Sequence, residues 1–140
     1  MSEVTTAMFR QLADELEIRN FLGRVAHLSD AGSVADYVDC FTQDASLEVP
    51  GQHRSGRSEI GAGSSKGREG GTQGPGSNTR HFVTNHVLHV DGSEIATSES
   101  SFIFVGGATT PVVLATGRYE DTLERTTDGW KLARRQITFG

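Results

Sequence analysis

Residues 79–92 read Thr-Arg-His-Phe-Val-Thr-Asn-His-Val-Leu-His-Val-Asp-Gly and open the longest strand-like region of the chain. They follow a glycine-rich stretch that has too few apolar residues to form a core. The closing Asp-Gly pair favours the positive φ angles of a tight hairpin turn. Three of the five histidines lie here, His81, His86 and His89. We expect any chemistry of this protein to centre on His81.

Four long strand-like segments make up the second half of the chain. They are residues 80–90, 94–105, 111–124 and 130–139, and their junctions carry Asp91-Gly92, Gly106-Gly107 and Asp128-Gly129. Asp-Gly and Gly-Gly pairs are typical of tight hairpin turns. Consecutive hairpins form an antiparallel meander. The sequence therefore predicts one long sheet that is built mainly from neighbouring strands.

The first half of the chain begins with helical patterning. Apolar residues recur at spacings of three and four over residues 8–28, which predicts a long helix. Ser33 is the expected N-cap of a short second helix that follows it. Residues 45–49 alternate between apolar and polar side chains, which indicates a strand, and residues 52–56 are its expected return.

Residues 58–62 carry a weak helical pattern, and the glycine-rich segment that overlaps their end is predicted to be a mobile loop. Residues 61–78 are dominated by Gly, Ser and polar residues, which offer little apolar surface to offset the entropy lost on ordering. No strand leads into a phosphate-binding glycine pattern here. Whether this segment acts as a lid stays open at the level of sequence.

The order of elements predicts an α+β protein, because helices precede a long sheet. N-terminal helices would pack on the concave face of a strongly curved mixed or antiparallel sheet, which gives a cone. The inner end of such a cone is an apolar pocket with a few polar groups, the usual form of a small-molecule site. At 140 residues we expect a single domain over residues 1–140.

Composition excludes several classes of function. A net charge of −5 and the lack of any Lys/Arg cluster argue against nucleic-acid binding. The apolar runs are far too short to span a membrane, and no signal peptide is visible. The single cysteine, Cys40, cannot form an internal disulfide, which suits a reducing cytoplasm. No Cys/His spacing matches a zinc site, and we expect no cofactor.

The order helix–helix–hairpin–helix–meander, with Asp-Gly-Trp-Lys at residues 128–131 opening the last strand, resembles the nuclear-transport-factor-like fold. Within that fold the chain is similar to the SnoaL-like group, which includes scytalone dehydratase, hexachlorocyclohexane dehydrochlorinase and polyketide cyclases. The resemblance extends from Ala13 to Phe139. It implies a cone-shaped pocket for a small molecule, whereas one fold hosts many activities.

Three positions match the dehydratase and dehydrochlorinase pattern: Asp30 after the long helix, His81 in Arg-His-Phe-Val-Thr-Asn, and Arg135 in Trp-Lys-Leu-Ala-Arg-Arg. The resemblance implies that His81 removes a proton from carbon, that Asp30 orients His81, and that Arg135 assists the departing anion. These residue types suit the roles. Imidazole titrates near neutral pH, a carboxylate stabilises its charged form, and a guanidinium keeps its charge.

Each of the three residues also has a purely structural interpretation. Asp30 lies in a Ser-Asp-Ala-Gly turn, where aspartate often serves local hydrogen bonds. The His81 ring could be satisfied by a backbone group. Arg134 and Arg135 face opposite sides of a strand, so only one of them can point inward, and a surface salt bridge is equally open for Arg135.

Strand alternation selects the expected substrate-binding residues. If His81 faces the pocket, then Val83, Asn85 and Val87 share its side, while His86 faces the other way. Val83 and Asn85 are therefore predicted to line the pocket. Tyr119 can reach the interior from another strand of the meander.

The resemblance implies a cofactor-independent lyase or isomerase that acts on a small, largely apolar cyclic molecule. The alternative is a non-catalytic binding or subunit-assembly module, as in the small subunits of ring-hydroxylating dioxygenases. A hydrogen bond between Asp30 and the His81 ring inside an apolar pocket would favour the enzyme. We also expect a homo-oligomer, a dimer or a trimer, because the outer face of a long sheet carries apolar residues.

Overall fold

The computed structural model describes residues 2–140 and shows helices followed by a long sheet. The helices are α1 (Glu3–Ala31), α2 (Val34–Val38) and α3 (Gly56–Glu69). The strands are β1 (Phe41–Val49), β2 (Gln52–Ser55), β3 (Arg80–Asp91), β4 (Ile95–Gly106), β5 (Val112–Thr126) and β6 (Gly129–Phe139). None of the helices formed by residues 2–140 is long and apolar enough to cross a membrane.

The six strands form one mixed sheet in the order β2-β1-β6-β5-β4-β3. The meander β3–β6 is antiparallel throughout, as predicted, and β1 joins β6 in parallel. The sheet does not close on itself, and with the helices it forms an α+β cone. The predicted fold class is confirmed. Apolar residues of α1 and of the sheet share one core, including Ile18, Leu22, Phe41, Leu123 and Leu132.

Helix α1 is longer than predicted at both ends. Ser2 is its N-cap, and the Ser2 hydroxyl accepts a hydrogen bond from the backbone N–H of Thr5 at 3.1 Å. Large apolar residues of its first half are exposed, namely Val4, Met8, Phe9, Leu12 and Leu16. The part of α1 that packs on the sheet therefore begins at Asp14, which is buried and pairs with Arg125 of β5. Asp30 belongs to the last turn of α1.

The connection from α1 to β1 is partly as predicted. The Ser33 hydroxyl accepts from the backbone N–H of Asp36 at 3.1 Å, so Ser33 is the N-cap of α2. Strand β1 begins at Phe41, four residues before the predicted start. Phe41 pairs in parallel with Leu132 of β6, and the register of this pairing shifts between Phe41 and Ser46.

Helix α3 corrects the predicted loop over residues 61–78. The chain stays helical to Glu69 although the segment is rich in glycine. Three contacts with the rest of the molecule stabilise it: Ile60 is fully buried, Ser64 is buried, and Arg68 bonds to backbone carbonyls near the end of α1. Tertiary packing outweighs the poor helix propensity of glycine here. Residues 70–79 lie outside helices and strands.

A bulge in β3 corrects the predicted alternation. Asn85 has a φ of 59°, and the pairing with β4 shifts register between Thr84 and Val87. An extra residue of this kind inverts which side chains face the core. His86 and Leu88 consequently turn inward while Val87 is exposed.

Candidate active site

The side chains of Asp30 and His81 form a hydrogen-bonded pair. The last turn of α1 supplies Asp30, and the start of β3 supplies His81. One carboxylate oxygen of Asp30, Oδ1, lies 2.7 Å from Nδ1 of the His81 ring, and Oδ2 accepts from the His81 backbone N–H at 3.0 Å. The two side chains are only 11% and 16% exposed. Both carboxylate oxygens are thus used to fix one histidine.

This arrangement determines which ring nitrogen can act as a base. When the Nδ1–H group donates a hydrogen bond to the carboxylate, the lone pair of the neutral ring resides on Nε2. Among residues 2–140, Nε2 of His81 has no protein hydrogen-bond partner, and His81 lines the main cavity. The carboxylate also stabilises the imidazolium that forms when Nε2 takes up a proton. The pair therefore has the geometry of a general base with an orienting acid.

Arg68 holds the end of the helix that carries Asp30. Its guanidinium donates to the backbone carbonyls of Leu28, Ser29 and Gly32. A helix C-terminus carries partial negative charge, which disfavours a carboxylate, so a cation at this end offsets the cost. No local pattern marks Arg68, because Leu28 lies 40 residues earlier in the chain.

The main cavity has a volume of about 330 Å³ and lies between the helices and the concave side of the sheet. Four aromatic side chains form much of its wall: Phe102, Phe104, Tyr119 and Phe139. The centroid of the His81 ring lies 4.5 Å from that of Phe104. Asp30 reaches the cavity only through His81, because the described wall includes no carboxylate. The site combines an apolar, aromatic interior with a few polar groups.

Arg135 lines the cavity, and Arg134 faces solvent. Nε and Nη2 of Arg135 donate to the two carboxylate oxygens of Asp121 at 2.8 and 2.9 Å, and both side chains are buried. Burial alone would lower the pKa of Arg135, but Asp121 outweighs burial and raises it. Arg134 instead bonds to Glu48 at the surface. The surface salt bridge thus belongs to Arg134, and Arg135 keeps Nη1 without a protein acceptor in the described chain.

Tyr119 and Val83 also line the cavity, as predicted. The Tyr119 ring stacks on the Phe102 ring, with 4.7 Å between the two centroids. The Arg135 guanidinium lies 3.9 Å from the centre of the same Tyr119 ring. Burial raises the pKa of Tyr119 to about 12, against the opposing effect of Arg135. The Tyr119 hydroxyl therefore stays protonated at neutral pH and can donate a hydrogen bond.

Asn85 does not line the cavity, so the prediction that strand alternation places it in the cavity wall is wrong. It is exposed at the bulge of β3, where the inverted alternation removes it from the His81 side. Six polar residues that were not predicted line the cavity instead: Ser29, Tyr37, Arg54, Ser64, Thr72 and Gln73. All but Ser29 lie on short or glycine-rich segments, and no hydrophobic periodicity places these segments around a pocket.

His86 lies under α1 on the core side of β3 and outside the described cavity wall. Its Nε2 is buried with no hydrogen-bond partner in residues 2–140. Burial lowers its pKa below 6.5, and the nearby charges act in both directions: Arg19 and Arg135 lower it while Asp121 raises it. Folding therefore favours the neutral ring.

The lowered pKa of His86 predicts a loss of stability on the acid side. Below pH 6.5 the unfolded chain binds a proton at His86 that the folded chain binds only at lower pH, so the free energy of unfolding falls as pH falls through this window. Urea unfolding of wild type and His86→Leu, measured above and below pH 6.5, should show a smaller acid loss in the variant. His89→Leu, at an exposed site of the same strand, is the control. Equal acid losses in wild type and His86→Leu would contradict the prediction.

Solved structures with the same fold are numerous. An NTF2-like protein with a cystatin-like fold from Novosphingobium aromaticivorans has a TM-score of 0.86 at 24% identity, over 99% of this chain and 91% of that chain. A candidate scytalone dehydratase from the same organism has a TM-score of 0.81 at 19% identity, over 95% and 88% of the two chains. ActVI-ORFA from Streptomyces coelicolor has a TM-score of 0.76 at 22% identity, over 89% and 96%. At these identities the likeness shows the fold.

No curated protein matches the sequence. The family model of the SnoaL-like domain matches residues 10–136, which is nearly the whole chain. The resemblance inferred from the order of elements is therefore confirmed, and the protein belongs to the SnoaL-like family.

Proposed function

We propose that this protein is a cofactor-independent lyase or isomerase, of the dehydratase or cyclase type, that acts on a small and largely apolar cyclic substrate. The observation that carries this proposal is the Asp30–His81 pair, whose ring lines an apolar cavity. The family supports it, and so do the names of two structural neighbours, a candidate scytalone dehydratase and ActVI-ORFA.

In this mechanism His81 is the general base. Its Nε2 takes a proton from a substrate carbon next to a carbonyl group, and the electron pair of the broken C–H bond moves into an enolate. Asp30 stabilises the resulting imidazolium. The enolate then reacts in one of three ways: it expels a hydroxyl group as water, attacks a second carbonyl carbon of the same molecule to close a ring, or takes the proton back at another carbon. In the first two cases the imidazolium supplies the proton, to the leaving hydroxyl or to the alkoxide that forms from the second carbonyl.

Arg135 and Tyr119 are the proposed stabilisers of the enolate oxygen. Nη1 of Arg135 and the protonated Tyr119 hydroxyl are donors in a mostly apolar cavity, where a developing charge interacts strongly with fixed dipoles. Asp121 keeps the guanidinium in place and charged. Val83 and the aromatic side chains of the wall would hold the ring of the substrate.

A non-catalytic binding or assembly module is the alternative function. Such a module needs an apolar surface or cavity, but it has no need of a carboxylate that is buried against an imidazole. A buried charge is costly unless its partners are well placed. The two hydrogen bonds that the Asp30 carboxylate accepts from His81 therefore support the enzyme over the module.

Hydrogen–deuterium exchange tests the proposed chemistry without knowledge of the natural substrate. Cyclic ketones with an acidic C–H bond, such as tetralones, would be incubated in D₂O, and exchange at the carbon next to the carbonyl would be followed by NMR. Wild type should accelerate the exchange of at least one ketone, and His81→Gln should not. Exchange that is equal in wild type, His81→Gln and buffer for the whole panel would refute the proposed proton transfer.

The homo-oligomer stays a prediction. Exposed apolar side chains of the sheet, such as Phe82, Ile103 and Val113, support it because exposed apolar surface favours association. The cytoplasmic location likewise stays a prediction.

A further inference from the structure

The cavity contains a second guanidinium group, and this one has no acidic partner. Arg54 on β2 is half-buried and lines the cavity. Within residues 2–140 its side chain bonds to the side-chain oxygen of Gln52 at 2.9 Å and forms no ion pair. Arg135, the other arginine of the wall, is neutralised by Asp121. Arg54 therefore contributes an uncompensated positive charge to a cavity whose described wall has no carboxylate.

Glycines of α3 make room for this group. A Cβ atom at Gly63 would overlap the guanidinium of Arg54, and a Cβ atom at Gly67 would overlap the side-chain amide of Gln73. Gly63 and Gly67 are one turn apart, so they share a face of α3. That face admits a guanidinium and an amide side by side, and both Arg54 and Gln73 line the cavity.

Two hydroxyl groups also belong to the cavity wall. Tyr37 and Ser64 line the same cavity. Burial raises the pKa of Tyr37, while Arg135 and Arg54 both counteract the rise, so the Tyr37 hydroxyl lies in the field of both guanidinium groups. A guanidinium presents paired N–H donors that match the two oxygens of a carboxylate. The Gln73 amide offers a further donor.

We infer that Arg54, together with Gln73, binds a carboxylate group of the substrate, which would make the substrate a planar ring compound with an acidic substituent. The inference rests on the proposed function only in calling this ligand the substrate. The aromatic wall and His81 would then contact the ring while the carboxylate lies at the α3 end of the cavity. Arg54 is a specificity-determining residue in this arrangement.

Equilibrium binding of two matched probes tests the inference. Naphthoate carries the carboxylate, and naphthamide has the same shape without the charge. Isothermal titration should show that wild type binds naphthoate about tenfold more tightly or better, as expected for a charge-assisted contact. Arg54→Met should reduce this preference to near equality, and Arg118→Met, at an exposed arginine of β5, should preserve it.

A second variant separates the role of Arg54 from a general effect on folding. In Gly63→Ala the new methyl group would displace the flexible end of Arg54, while alanine favours the helix more than glycine does. The unfolding temperature should not fall, but the preference for naphthoate should be lost. His81→Gln should keep the preference for naphthoate, because binding of the carboxylate does not require the base. A failure of the proposed proton transfer can therefore be told apart from a failure of carboxylate binding. Equal affinity of wild type for both probes, or a preference that survives Arg54→Met, would overturn the inference.

Discussion

Replacing His81 by glutamine is expected to lower turnover by about 10²–10⁴-fold, the range typical for loss of a general base. Glutamine keeps a polar side chain of similar reach but has no basic nitrogen. The fold should be retained, because the His81 side chain lines the cavity and is not part of the hydrophobic core. The rate of deuterium exchange on a responsive ketone, together with circular dichroism, measures both effects. His89→Gln, at an exposed position of the same strand, should behave as wild type.

Asp30→Asn completes this prediction. An amide cannot stabilise the imidazolium, and its NH₂ group can donate to Nδ1, which would force the proton onto Nε2 and block the base. We expect a loss of about 10²-fold or more in kcat, with a smaller effect on KM because Asp30 is not part of the described cavity wall. Unchanged turnover in both His81→Gln and Asp30→Asn on an identified substrate would disprove the proposed mechanism.

The largest expected effect on stability comes from Asp121. Its side chain has no exposed surface, and it is the paired carboxylate of a buried arginine. Replacing it by asparagine would leave the guanidinium of Arg135 buried without its counter-charge. Removing one partner of a buried ion pair costs about 3–5 kcal/mol. We therefore expect Asp121→Asn to lower the free energy of unfolding by this amount in urea denaturation.

Two comparisons show whether the charge is responsible. Glu48→Gln removes the partner of Arg134 at the surface and should cost less than about 1 kcal/mol. The double variant Asp121→Leu with Arg135→Met removes both charges and should recover much of the stability, because an apolar pair avoids the desolvation penalty. A double variant as unstable as Asp121→Asn would show that packing, rather than the unpaired charge, sets the cost.

The sequence was informative where local signals and tertiary structure agree. Asp-Gly and Gly-Gly pairs mark the hairpins of β3–β6, and their turns hold glycines with positive φ at Gly92, Gly107 and Gly129. The pairing of Asp30 with His81 followed from the family pattern, since the residues are 51 positions apart and no local signal joins them. The roles of these residues stay predictions that the variants above test.

The errors have a common physical cause, which is that distant contacts override local patterns. Glycine-rich composition predicted a loop where burial of Ile60 and the bonds of Arg68 hold α3 together. Strict alternation placed Asn85 in the pocket, but one extra residue in β3 inverts the pattern. The position of Arg54 could not be predicted from the local pattern of β2, because it depends on the space that Gly63 leaves in α3.

The glycines of α3 have a consequence for the motions of the protein. Each interior glycine lowers helix stability by about 1 kcal/mol relative to alanine, and Gly61, Gly63 and Gly67 all lie inside the helix. Local opening draws on the least stable elements first, so α3 is expected to unfold and refold far more often than the long strands of the sheet. Helix α3 contributes Ser64 to the wall of the cavity. A ligand can thus reach the aromatic interior of the cavity through brief melting of α3. The same opening releases the contact of Arg68 with the end of α1, whereas His81 stays on a strand that does not open.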